Sequence, residues 1–278
     1  TLIGGEGIDS ADYSIASSGV DIDLSTGVVN DDGDGGRDAL SGIENLTGSA
    51  FDDSLVGDDQ NNVLTGGLGD DVLAGRAGDD DLVGGDGADT ASYAQAATGV
   101  NIDLLTGSSV NDGDGGIDTY NSIENVEGSQ FDDVLRGDAN NNVLSGLDGN
   151  DLLFGADGDD LLEGGQGRDT LQASSGANTY DGGSHEDTLD YSGFAGANSI
   201  DVTLSGSFDA TVIVDGDTND TVRNVENVRG TSGNDVIGGD FLANRIEGFD
   251  GDDVIRGGAG ADILEGGDGN DQLRFDDL

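Results

Sequence analysis

The residues with the clearest chemistry in this chain are aspartates that return every nine positions. Residues 66–92 show the spacing: Gly66-Gly67-Leu68-Gly69-Asp70-Asp71-Val72-Leu73-Ala74, then Gly75-Arg76-Ala77-Gly78-Asp79-Asp80-Asp81-Leu82-Val83, then Gly84-Gly85-Asp86-Gly87-Ala88-Asp89-Thr90-Ala91-Ser92. Each nine carries glycine at positions 1 and 4, Asp at position 6 and an apolar residue at position 8. A carboxylate is a hard oxygen ligand of the kind that divalent cations such as calcium collect. Glycine tolerates left-handed backbone, so a tight turn can aim its carbonyls inward at small steric cost. One inward apolar residue after the turn makes a very short strand. Each nine therefore reads as a turn able to hold a cation, followed by a strand.

This G-G-x-G-x-D-x-U-x pattern resembles the RTX (repeats-in-toxin) calcium-binding nonapeptide repeat. The resemblance implies an all-β fold, a parallel β-roll in which two successive nines make one right-handed coil. Loops eighteen residues apart then stack on the same edge. An ion sits between stacked loops, held by the position-6 Asp of each and by backbone carbonyls. Applied residue by residue, Asp53, Asp71 and Asp89 form one edge and Asn62 and Asp80 the other. Further on, Asp133, Asp151, Asp169 and Asp187 face Asn142, Asp160 and Asn178, and finally Asp235, Asp253 and Asp271 face Asn244 and Asp262. Asp9 belongs to a loop that precedes them. Among the glycines, the resemblance points to the loops of Gly67, Gly69, Gly84, Gly146, Gly149, Gly164, Gly167, Gly248, Gly251, Gly266 and Gly269. Asn brings no charge, so edges with Asn62, Asn142 or Asn244 should bind more weakly. This predicts roughly 7 to 11 calcium ions in the arrays, which would offset about 14 to 22 negative charges.

Composition agrees with such an array and excludes other classes. The chain has 278 residues, 52 of them Gly, and a formal charge of −50. That charge alone would suggest disorder, but here Asp is periodic and lies beside glycine. Nucleic acid is excluded as a partner, because both would be polyanions. Cys is absent, so there are no disulfides and no thiolate metal sites. No apolar run is long enough for a membrane span. Aromatic residues are few, so stability must come from stacked repeats and bound ions rather than from a conventional core.

The inward row needed to position the loops is supplied by position 8: Leu55, Leu64, Leu73 and Leu82, then Leu135, Leu144, Leu153 and Leu162, then Ile237, Ile246, Ile255 and Leu264. Positions 7 and 9 face outward. Leu152 and Phe154 flank one inward Leu, which predicts that an insert hairpin or another chain covers them. No stretch holds apolar residues at a 3.6-residue period over three turns, so no helix is expected.

Along the chain, residues 1–12 read as the end of a preceding array, cut in mid-repeat, and the chain as a fragment of a longer protein. Insert 1 spans 13–47, array 1 spans 48–92, insert 2 spans 93–127, array 2 spans 128–190, insert 3 spans 191–229 and array 3 spans 230–278. The whole block recurs 80 residues on, with Tyr13, Leu24, Glu44 and Asn62 matched by Tyr93, Leu104, Glu124 and Asn142. The inserts contain strand-like alternation, as in Val20, Ile22 and Leu24, and read as short β-hairpins. They also carry Asp clusters: Asp32, Asp34 and Asp38, then Asp112, Asp114 and Asp118, then Asp215, Asp217 and Asp220. The D-x-D-G spacing is reminiscent of an EF-hand loop start, yet neither flanking helices nor a far-end Glu is present, and a hairpin turn explains it as well. Glu44, Glu124 and Glu226 each precede Asn and read as hydrogen-bonding caps of the incoming array or as metal ligands.

His185, the single histidine, stands at a position-4 glycine and reads as a tolerated loop substitution. With no nucleophile–base constellation, an enzyme is not expected in these residues. The favoured reading is a calcium-binding structural module that folds on calcium outside the cell after type I secretion. The alternatives are an adhesin, surface-layer or filament module, or an accessory module of a secreted enzyme whose catalytic domain lies elsewhere. Calcium ions are the expected partners, followed by self-association or contacts within a larger extracellular protein. The expected location is extracellular or at the bacterial cell surface.

Overall fold

The nine-residue period is converted into short strands, each with one side chain turned inward. The computed structural model describes residues 1–194, 198–216 and 218–275. Among the described residues every regular element is a strand, and no helix is long and apolar enough to cross a membrane. The molecule divides into two compact units, Thr1–Gln130 and Phe131–Leu278.

In the first unit, successive nines enter two sheets alternately. Ser10–Asp12, Asn45–Thr47, Val63–Leu68, Asp81–Asp86 and Thr119–Asn121 pair in parallel in one sheet. Asp21–Asp23, Ser54–Val56, Val72–Ala74, Thr90–Ser92 and Asn125–Glu127 pair in parallel in the other. The inserts interrupt the period but not the ladder. Each folds an antiparallel hairpin, Asp21–Asp23 with Val28–Asp31 and Asn101–Asp103 with Ser108–Asn111, and also supplies parallel rungs to the stack.

The second unit repeats the scheme. One sheet runs through Val134–Arg136, Leu152–Phe154, Thr170–Gln172, Thr188–Asp190, Asn227–Arg229, Arg245–Asp250 and Ile263–Asp268, all parallel. The other takes in Val143–Ser145, Leu161–Gln166, Thr179–Ser184 and Thr218–Arg223 in parallel, then Ala210–Val214 and Ile200–Thr203 antiparallel, then Val236–Gly238, Val254–Arg256 and Gln272–Arg274 in parallel. This is a parallel β-roll with hairpin inserts.

Register places each inward side chain on the next. Leu135, Leu153, Leu171 and Leu189 are direct neighbours across successive strands, and none is more than 1% exposed. Leu46, Leu64 and Leu82 form the corresponding column in the first unit. Each such leucine is stabilised by ~1.5–3 kcal/mol through burial, so a column one residue wide carries the core. Of the position-8 residues expected inside, Leu264 is only half-buried. Leu152 and Phe154 are also half-buried. The guanidinium of Arg136, one coil earlier on the same outer face, lies 4.4 Å from the centroid of the Phe154 ring. A long cationic side chain can mask an aromatic face while keeping its charge in water.

Candidate metal centres

Stacking at eighteen residues turns the position-6 aspartates into a ladder. The backbone N–H of Asp53 donates to Oδ1 of Asp71, and that of Asp71 to Oδ1 of Asp89, both at 2.8 Å. In the second unit the N–H of Asp133, Asp151 and Asp169 donates in turn to Oδ1 of Asp151, Asp169 and Asp187. Asp235 to Asp253 and Asp253 to Asp271 follow the same rule. On the opposite edges the N–H groups of Asn62, Asn142 and Asn244 meet Oδ1 of Asp80, Asp160 and Asp262, and that of Asp160 meets Oδ1 of Asn178. Every aspartate pairing expected from the eighteen-residue spacing is thus in direct backbone-to-carboxylate contact.

The second carboxylate oxygen is what gives these positions their chemistry. Oδ2 of Asp71, Asp80, Asp89, Asp151, Asp160, Asp169, Asp187 and Asp253 is buried with no hydrogen-bond partner, as is Oδ2 of Asp9. A buried carboxylate oxygen without a donor carries a large desolvation cost. At Asp71, Asp80, Asp89, Asp151, Asp160, Asp169, Asp187 and Asp253 burial is the first cause that pushes the carboxyl up, while the N–H from the preceding loop pulls it back. Asp71, Asp80 and Asp187 rise to about 7, Asp151 to about 8, and Asp160, Asp169 and Asp253 to about 6. For Asp71 and Asp151 the stacked neighbours Asp53 and Asp89, and Asp133 and Asp169, add repulsion.

Position-1 glycine makes room for this arrangement. A Cβ on Gly146 would lie 2.2 Å from Oδ2 of Asp151 and 2.6 Å from the carbonyl oxygen of Gly164. A Cβ on Gly84, Gly164, Gly248 or Gly266 would likewise meet Oδ2 of its own loop's Asp. The missing methyl is the space into which a carboxylate and a carbonyl oxygen of the next coil both project. At positions 2 and 4, Gly67, Gly69, Gly149, Gly167, Gly251 and Gly269 have left-handed φ between 112° and 151°. Orphaned anionic oxygens beside carbonyls in a buried turn fit a hard cation with oxygen ligands. Among the described residues no three or more His, Cys, Asp or Glu side chains gather into a cage, so two carboxylates at most serve each turn and backbone oxygens must supply the balance.

A second ladder, which the nine-residue pattern did not reveal, runs along position 5 in the opposite sense. The N–H of Asp70 donates to Oδ1 of Asp52, that of Ala88 to Asp70, and that of Asp159 to Oδ1 of Asn141. The signal was present in the sequence as the recurrent Asp or Asn immediately before position 6.

The insert acids serve hydrogen bonds. Oδ1 of Asp112 accepts the N–H groups of Asp114, Gly115 and Gly116, which is a turn and not a half-built EF-hand loop; Asp32 does the same for Asp34 and Gly36. Asp34 takes Ser17, Asp114 takes the N–H of Ala97, Asp38 takes the N-terminal amine, and Asp215 takes the N–H groups of Asn198 and Ser199. Asp118 and Asp220 extend the inner ladder, accepting from Asp80 and Asn178 and from the hydroxyls of Tyr93 and Tyr191. Asp217 lies outside the described residues. Oε2 of Glu44, Glu124 and Glu226 accepts the N–H of Asp9, Asp89 and Asp187. These glutamates cap the last loop of the array before them, not the first loop of the one that follows. His185 is exposed at φ 94°, with Nδ1 2.7 Å from its neighbour's carbonyl oxygen.

With this geometry in place, the comparison with known families decides the assignment. The RTX calcium-binding nonapeptide repeat (four copies) matches residues 38–73, 56–91, 127–162, 154–189 and 238–273, more than half of the chain. The chain belongs to this family. RTX repeats bind calcium, and the chain is a calcium-binding structural module. The RTX matches overlap all three stretches of nonapeptides identified from spacing. No curated protein matches the chain.

Proposed function

We propose that this RTX segment folds on calcium outside the cell after type I secretion, and that the ions are held by Asp71, Asp80, Asp89, Asp151, Asp160, Asp169, Asp187 and Asp253 with carbonyls of the flanking glycine turns. The observation that carries this reading is the buried Oδ2 atom without a donor, recurring at position 6. A cation is the partner that makes the closed turn favourable at neutral pH. Without it, carboxylates in contact along one edge repel each other and lose hydration. The charge of −50 then favours an extended chain where calcium is scarce, and metal binding becomes folding free energy where calcium is millimolar. Asp9, Asp262 and Asp271 occupy equivalent places at the two ends of the described repeats.

The residues between 1 and 278 act as scaffold rather than catalyst in this reading, and we partition them into three arrays joined by three hairpin inserts. Circular dichroism of the full chain tests it. Disorder in excess chelator with recovery of a β spectrum on adding calcium is expected; a full β spectrum in chelator would overturn it.

A further inference from the structure

The first coils of arrays 1 and 3 differ from the coils that follow them. In array 1 the coil opens with Ser49 and Asp58 at position 2 of its two loops, where the following loops have Gly67, Arg76 and Gly85. The later position-2 residues are left-handed, including the non-glycine Arg76 at φ 75°, as are Leu147, Ala156 and Phe249 elsewhere. Ser49 and Asp58 are not. The consequence is chemical. The N–H of Ser49 donates to Oδ2 of Asp53, the Ser49 hydroxyl donates to Oδ1, and the N–H of Val20 donates to Oδ1 as well. The N–H of Asp58 donates to Oδ1 of Asn62 at 2.8 Å, while Nδ2 of Asn62 donates to the carbonyl of Glu44 at 2.8 Å.

The correlation holds wherever the position-6 side chain is fully buried; Asp262 and Asp271, only half-buried at the end of array 3, have left-handed Gly258 and Gly267 at position 2 but no buried unpaired oxygen. Where position 2 donates its N–H to the position-6 side chain, as at Asp53, Asn62, Asn142, Asp235 and Asn244, no oxygen of that side chain is orphaned. Where position 2 is left-handed, as at Gly67, Arg76, Gly85, Leu147, Ala156, Gly165, Gly183 and Phe249, Oδ2 of the same loop's Asp is buried and unpaired. At Asn62 and Asn244 the side-chain amide donates to a backbone carbonyl, that of Glu44 or Glu226, where an aspartate would present an anionic oxygen. The array-3 coil repeats the array-1 solution with Thr231 in place of Ser49 and the carbonyl of Glu226 in place of that of Glu44.

We infer that the opening coils of arrays 1 and 3 are closed by the protein's own hydrogen bonds and bind no calcium, and that each, together with the insert hairpin paired with it, is a calcium-independent template onto which the ion-dependent coils load. The hairpin supplies what a lone coil lacks. Ile22 pairs directly with Leu55, and Val20, Ile22, Leu24, Val29 and Leu46 are buried around that contact. A solenoid repeat is stabilised by its neighbours, so a preformed first coil removes the costly nucleation step for those that follow. The inference rests on the proposal that the later loops fold on calcium, and it replaces the expectation that the Asn62 and Asn244 edges are weak ion sites.

Two experiments on the full chain separate the inference from that proposal. In hydrogen–deuterium exchange with excess chelator, segments 20–29, 45–64 and 200–214 should exchange at least about tenfold more slowly than segments 66–89 and 151–187. Uniformly fast exchange would overturn the template while leaving calcium-driven folding intact. Uniformly slow exchange would instead remove calcium-driven folding. Calorimetric titration with calcium then counts ions. Asp71→Asn should lose one and Asp53→Asn none, while the double change Asp58→Gly with Asn62→Asp should gain one. A loss with Asp53→Asn, or no gain with the double change, would show that the opening coil already holds an ion.

Discussion

The backbone N–H of Asp71 donates to Oδ1 of Asp89 at 2.8 Å, from one coil to the next. The contact spends one oxygen of each carboxylate on the backbone of the coil before it and leaves the other buried and unpaired. At Asp71 and Asp89, stacking of one coil on the next thus leaves an anionic oxygen that only a further positive partner can satisfy.

Proton competition follows from that relationship. Without an ion, burial raises Asp71 and Asp187 to about 7, Asp151 to about 8 and Asp253 to about 6, from an ordinary value of 3.8. Raised values mean that the closed coil prefers the neutral carboxyl. Its ion-free stability is therefore fully present below pH ~4 and is lost as pH rises through 6 to 8. In excess chelator, the far-ultraviolet β signal should be larger at pH 4 than at pH 8. In the presence of calcium the order reverses, because ligands must be deprotonated, and the calcium midpoint should fall as pH rises from 5 to 8.

Glycine positions should divide by what surrounds them. A Cβ on Gly167 would lie within bonding distance of the carbonyl oxygen of Gly149, in addition to a φ of 142°. A Cβ on Gly115, at φ 111°, would meet nothing within 4 Å. Gly115→Ala should cost ~1–2 kcal/mol, the strain of left-handed backbone alone. Gly167→Ala should cost more, because two coils must separate, and should raise the calcium concentration needed for half-folding. Chemical denaturation at fixed calcium compares the two.

The leucine column predicts a local, not global, sensitivity. Leu153 is fully buried between Leu135 and Leu171. Leu153→Ala should destabilise the calcium-loaded chain by ~2–5 kcal/mol. In a solenoid the loss should concentrate in adjacent coils, so exchange protection should fall for segment 134–172 and persist in the first unit.

How far the sequence reached is seen best in Asp89 and Glu124. Asp89 was legible as a ladder member, because its partner Asp71 is eighteen residues away and both lie in the same period. Glu124, which accepts the N–H of Asp89 across 35 residues, was not, since nothing local tells how an insert folds back onto the stack. The same holds for Asp118, which was seen as part of a hairpin cluster but completes the opposite edge beyond Asp80. Phe154 shows the limit for outer faces: its outward position followed from alternation, but its cover, Arg136, came from register between coils.

By itself the sequence determined the repeat, the inward row, the edge assignments and the cation chemistry. All of these are local in a chain whose period brings position n onto position n+18. Only the tertiary structure decided which carboxylates keep an oxygen without a donor. Asp53 and Asp71 have the same residue type at the same place in the repeat, yet donors from Ser49 and Val20 satisfy both oxygens of one, while a left-handed Gly67 leaves Oδ2 of the other bare. The difference lies in where a peptide N–H points, which is set by the backbone and by a hairpin more than thirty residues away.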